Sequence, residues 1–134
     1  MSRERRLRKR VTLSVYLPAT DTHINAPLGH IIDINAGGFL LLSEQPLEPS
    51  CGYSVNIQLP SGFNTSVLGD EQPGDTTADN NPVINVIAQV VRSQPSVKPH
   101  FYESAFEISY ASVHTKRIIE RLQQHYHLHM PQQY

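Results

Sequence analysis

Tryptophan is absent, cysteine occurs once, and no apolar run approaches the roughly 20 residues that a membrane-spanning helix needs. The single Cys51 excludes an internal disulfide and any cysteine-cluster zinc site, and its neighbours Ser50 and Gly52 mark it as a turn thiol. Catalytic signatures are missing as well: there is no nucleophile elbow, P-loop or HExxH, and no carboxylate pair in a recognisable frame. A non-enzymatic protein is expected. The basic N-terminus is not followed by an apolar segment with a small-residue cleavage site, so it does not read as a secretory signal. A soluble, cytoplasmic protein without membrane insertion follows as the expectation. With 134 residues, 39% of them apolar, the chain has material for one core and one domain.

Basic side chains are scarce everywhere except at one end. Arg3, Arg5, Arg6, Arg8, Lys9 and Arg10 face only Glu4, which makes residues 3–10 a segment of charge +5. The net charge of −1 then leaves −6 on the remainder, from five basic and eleven acidic residues. An acidic body repels an extended polyanion, so DNA and RNA are disfavoured as partners and a compact anion that meets the arm at one place fits better.

Hydrophobic periodicity divides the rest. Val11, Leu13, Val15 and Leu17 alternate with polar residues as in a half-buried strand, which Pro18 is expected to end. Residues 28–34 and 38–43 read as two strands of a hairpin around Asn35, Ala36 and Gly37. Tyr53, Val55, Ile57 and Leu59 alternate up to Pro60. Residues 61–82 combine glycine, proline, Asn and Asp with no basic side chain, the composition of a long, disordered acidic loop. Residues 83–93 are apolar enough for a strand buried on both faces or passing through a barrel, and 102–110 alternate again. The period then changes: Val113, Ile118, Ile119, Leu122 and Tyr126 recur at helical spacing after a candidate N-cap at Ser112, predicting an amphipathic helix over about 112–128 that closes one end of the strands. The result is an arm over 1–10, a mainly β domain over 11–128, and a tail over 129–134. Six strands and one helix fit a small antiparallel barrel or sandwich.

Three groups of residues could carry chemistry. Arg6 and Arg10 lie directly before the first strand, and in an extended arm they point to the same side about 13 Å apart. Each guanidinium can fork onto a phosphate or the O6/N7 edge of guanine, or stack on a base. A solubilising basic tail contains such a pair by chance, so the arm alone decides nothing. The second group is Asp33-Ile34-Asn35-Ala36-Gly37-Gly38 at the hairpin. Asp33 can accept from the adjacent N1 and N2 donors of guanine, Asn35 can donate and accept, and Gly37 and Gly38 permit positive φ angles and a close ligand approach. The same string also makes an ordinary turn. Third, His125, His127 and His129 alternate, but on a helix they diverge by about 200° per step, which disfavours a metal site.

Taken in order, the two motifs resemble the PilZ domain family of bacterial cyclic di-GMP receptors. Arg6-Leu7-Arg8-Lys9-Arg10 matches the RxxxR motif that precedes the first strand, with Arg5 before it as is common. Asp33 and Gly38 match the family's second motif, whose third position is typically Ser and is Asn35 here. Leu59-Pro60, Ala88-Gln89-Val90-Val91-Arg92, Ser104-Ala105-Phe106 and the final helix follow the family order, so the resemblance spans about residues 4–126. It implies a six-stranded antiparallel β-barrel with a C-terminal α-helix and no cofactor. It also implies a ligand, cyclic di-GMP, clasped by Arg6 and Arg10, with Asp33 and Asn35 reading guanine edges and Gly38 keeping the turn open. The arm would order on binding and signal to a protein effector. The alternative is a PilZ-like adaptor that works by protein contact without nucleotide.

Overall fold

The computed structural model describes residues 11–63, 75–76 and 82–126. The arm over 1–10, most of the 61–82 loop, His127, His129 and the tail lie outside them.

The elements follow the chain as β1 (Val11–Asp21), β2 (Ala26–Asn35), β3 (Gly38–Ser43), β4 (Gly52–Gln58), β5 (Asp75–Thr76), β6 (Pro82–Pro95), β7 (Tyr102–Tyr110) and α1 (Val113–Tyr126). Strand order is β4-β1-β2-β3-β7-β6, and a β4–β6 pairing closes the ring. All pairings are antiparallel. The molecule is therefore a closed six-stranded antiparallel barrel with one C-terminal helix, as the strand count and the family resemblance implied. Among the described residues, closure leaves no long sheet edge.

The period-2 pattern explains the interior. On β6, Ile84, Val86, Ala88 and Val90 are buried while Asn85, Ile87 and Gln89 between them are exposed. The strand is thus not buried on both faces: Ile87 and Val91 project outward. Phe39 and Phe106 are wholly buried opposite each other on β3 and β7, their rings stacked with centroids 4.6 Å apart, and Tyr53 meets Phe106 edge-on at 5.9 Å. Phe39 and Phe106 belong to the core, and Tyr53 packs against it half-buried.

Helix α1 packs on β1, β2 and β6 and inserts Ile118, Ile119 and Leu122 into the barrel end, so the apolar stripe closes the core as expected. Ser112 is its N-cap, its hydroxyl oxygen accepting from the Thr115 backbone N–H at 3.0 Å. Val113 departs from the stripe and is exposed, because the first residue of the helix has not yet rotated onto the barrel, and Thr115 takes the buried place instead. At the other end of α1, Phe63 packs against His125 and Tyr126.

Two expectations about boundaries are corrected. Pro18 does not end β1, which continues to Asp21 and pairs with β4 from Ala19 onward. Pro18 stands opposite His30, before the β4 ladder begins, and a missing N–H is tolerated where no second neighbour is paired. Within the 61–82 segment, Asp75 and Thr76 form a two-residue strand on Val83 and Pro82.

Candidate functional site

The hairpin between β2 and β3 is a two-residue connection through Ala36 and Gly37, with Asn35 opposite Gly38. Asn35 is buried, and its Oδ1 accepts from the backbone N–H groups of Gly37 at 2.7 Å and Gly38 at 3.0 Å. An Asx side chain thereby replaces a backbone acceptor in the turn. The oxygen foreseen as a guanine reader is occupied in holding the hairpin.

The glycines act differently from the sequence expectation. Neither Gly37 nor Gly38 has a positive φ; among the described glycines only Gly29 and Gly62 do. Gly38 is required by proximity, because a Cβ there would collide with the backbone oxygen of Phe106 on β7. Gly37 contributes its carbonyl, which accepts from the Ile108 N–H at 2.9 Å and ties the turn to β7.

The register of β1 matters most for the arm. Val11 lies opposite Ile34 and Thr12 opposite Asp33. Strand β1 therefore begins one pair away from the Asn35 turn. The arm joins β1 at the bond between Arg10 and Val11, so its point of attachment is beside the hairpin. The structural residues of the arm itself, Arg5, Arg6 and Arg10 among them, are outside the described region.

Asp33 is half-buried on the outer face of β2, its neighbour Ile34 being directed into the core. Directly opposite residues share a face, so the ladder defines a row across four strands: Asp33 on β2, Leu40 on β3, Ala105 on β7 and Arg92 on β6. Phe39 and Leu41 flank Leu40 and point inward, which leaves Leu40 half-buried on the outer side, whereas Ala105 between Ser104 and Phe106 is itself buried. Bulges between Ile31 and Asp33 and between Val90 and Arg92 set this phase. Leu40, Ala105 and Arg92 were not singled out as site residues from sequence. Their only signal was position, since the pairing that aligns them spans more than 60 residues of chain.

On the other side of the turn, an open groove of about 670 Å3 runs between Ala36 and Gly37, the end of β7 and the start of α1, bordered by Tyr110, Lys116 and Glu120. Among the described residues, no group of three or more His, Cys, Asp or Glu side chains is placed to hold a metal ion. No helix among them is long and apolar enough to cross a membrane.

The closed six-stranded barrel with its helical cap defines a small all-antiparallel β-barrel domain. A solved structure of this fold is that of the Bacillus subtilis inhibitor of motility (MotI/DgrA), similar to this chain with a TM-score of 0.61 at 16% identity. The similarity covers 89% of this chain and 49% of that one, so the chain spans about half the length of its structural relative. No family description and no curated protein matches the sequence.

Proposed function

We propose that this chain is a cyclic di-GMP receptor: a non-catalytic, cytoplasmic module whose arginine arm closes over the nucleotide at the β2–β3 hairpin and then presents an altered surface to a protein effector. The observation that carries this reading is the pairing of Val11 with Ile34, which tethers the RxxxR arm to the Asp33–Gly38 turn. The first motif is thus attached to the chain next to the second, although the two are separate in sequence. Arg6 and Arg10 would fork onto phosphate and guanine, and Asp33 would accept from the N1 and N2 groups of a guanine. Gly37 and Gly38 add backbone without side-chain bulk. Folding of the arm onto a ligand is the disorder-to-order kind of switch. Likeness to a protein named for inhibiting motility agrees with a regulatory role and not with an enzymatic one.

A second reading, an adaptor that binds a protein without nucleotide, is favoured by Asn35, whose Oδ1 is committed to the turn where the family typically has Ser. Titration calorimetry separates the two. The receptor reading expects saturable heat with cyclic di-GMP that disappears in Arg6→Ala, Arg10→Ala and Asp33→Ala. No heat from the native chain at high micromolar nucleotide would leave the adaptor.

A further inference from the structure

Exposed large apolar side chains usually stand singly on a protein surface, but three of this chain's adjoin. Ile87 on β6 and Tyr110 on β7 are direct cross-strand partners and both are exposed, Tyr110 by 65%. Val113, three residues further on at the start of α1, is exposed by 63%. Tyr110 and Val113 also border the open groove that runs to the hairpin tip at Ala36 and Gly37. A projecting ring and a groove of about 670 Å3 therefore lie side by side. Two exposed charges of opposite sign, Lys116 and Glu120, border the same groove, four residues apart and so on one side of α1. Among the described residues, neither side chain is held in an ion pair. Lysine before glutamate is also the less favourable order for a pair within one helix, so local helix support is a weak reason for both.

We propose that this face is a homodimer interface. A second copy of the chain packs across a two-fold axis, with Tyr110 of each copy seated in the groove of the other and Lys116 of each opposite Glu120 of the other. The choice of a second copy over another protein rests on self-complementarity. A two-fold interface uses one patch twice, so each projection needs a recess and each cation an anion within that patch. This face holds both pairs: Tyr110 with the groove, and Lys116 with Glu120. A strongly charged partner of either sign is a poorer match, because the two charges at the groove cancel. Strand addition has little to build on, since the described strands close into a ring and leave no long edge. Ile87 and Val113 supply apolar surface beside the aromatic anchor, the make-up of an interface centre. The proposal does not rest on the receptor reading and is tested without nucleotide.

Sedimentation equilibrium on the full chain is expected to show a reversible monomer–dimer equilibrium at micromolar concentration. Tyr110→Ala should weaken it by about thirtyfold or more, as the loss of a central aromatic anchor does. Lys116→Glu and Glu120→Lys should each shift the chain toward monomer, and the double exchange Lys116→Glu with Glu120→Lys should restore dimers, because every facing pair is again of opposite sign. Ile24→Ala, in the β1–β2 turn at the other end of the barrel, should leave the equilibrium unchanged. All the substituted side chains are exposed, so thermal melting should confirm a native fold in each variant. A native chain that stays monomeric at high micromolar concentration overturns the proposal and leaves the face to a different protein. A dimer that survives Tyr110→Ala, or a double exchange no better than the single ones, overturns it as well, by placing the contact elsewhere.

Discussion

Replacing Asn35 discriminates between a residue that reads ligand and one that builds the site. In Asn35→Ala the Gly37 and Gly38 N–H groups lose their common acceptor at 2.7 and 3.0 Å. The Gly38 bond is buried, so its donor is left without water, a cost of about 1–3 kcal/mol. Gly37 is exposed and its N–H recovers solvent, which limits that loss to about 0.5–1.5 kcal/mol. The sum is about 3 kcal/mol. For a chain of 134 residues, unfolding entropy of about 2.1 cal/mol/K per residue converts this to a fall in Tm of about 10 °C. Asn35→Asp keeps the acceptor and should stay within about 0.5 kcal/mol of the native protein, while Asn35→Ser, with a shorter and weaker acceptor, should recover about half of the loss. Urea unfolding read by circular dichroism, extrapolated linearly, gives each value. The reasoning is refuted if Asn35→Ala unfolds within about 0.5 kcal/mol of native, or if Asn35→Asp is as unstable as Asn35→Ala.

Other consequences follow from neighbouring contacts. Gly38→Ala should destabilise by about 1–3 kcal/mol because its Cβ meets the Phe106 backbone oxygen, while Gly37→Ala, whose nearest neighbour is Asn35 Oδ1 at 3.3 Å, should cost less; equal losses in denaturant would contradict the close-approach argument. The Tyr53 hydroxyl is pushed above its ordinary value near 10, first by burial and then by the negative charge of Cys51, Asp21 and Glu48. The folded state therefore holds that proton more tightly than the unfolded one, so this contribution to stability is complete below pH 10 and is lost as pH rises through the folded value. An absorbance titration should show one phenol ionising late, and Tyr53→Phe should flatten the alkaline fall in the unfolding midpoint; an unchanged alkaline profile would remove Tyr53 as its source.

How much of this was legible in the chain differs from element to element. Six strands and the helix were readable because a half-buried strand writes its inner face at every second residue and a covering helix writes its own every three to four. Ser112 as N-cap was readable for the same local reason, since the bond it makes reaches only to Thr115. Pro18 misled because its effect depends on whether a neighbouring strand needs its N–H, and the β4 partner that decides this is almost 40 residues away. The glycines misled in a similar way: Gly38 answers to a carbonyl on β7 and not to its own φ angle.

The site divides along the same line. Arginine spacing in the arm and the Asp33–Gly38 string are local patterns, and the sequence alone determined that both exist, together with the charge asymmetry that makes a compact anion the fitting partner. The attachment of the arm beside the hairpin, and the register that sets Asp33 opposite Leu40 and Leu40 opposite Ala105, were decided only by the closed barrel. Register and bulges are properties of strand pairs, and a shift of one residue turns a side chain from the outer face to the core. No pattern within a single strand carries that information, so which polar residues share a face had to await the folded sheet.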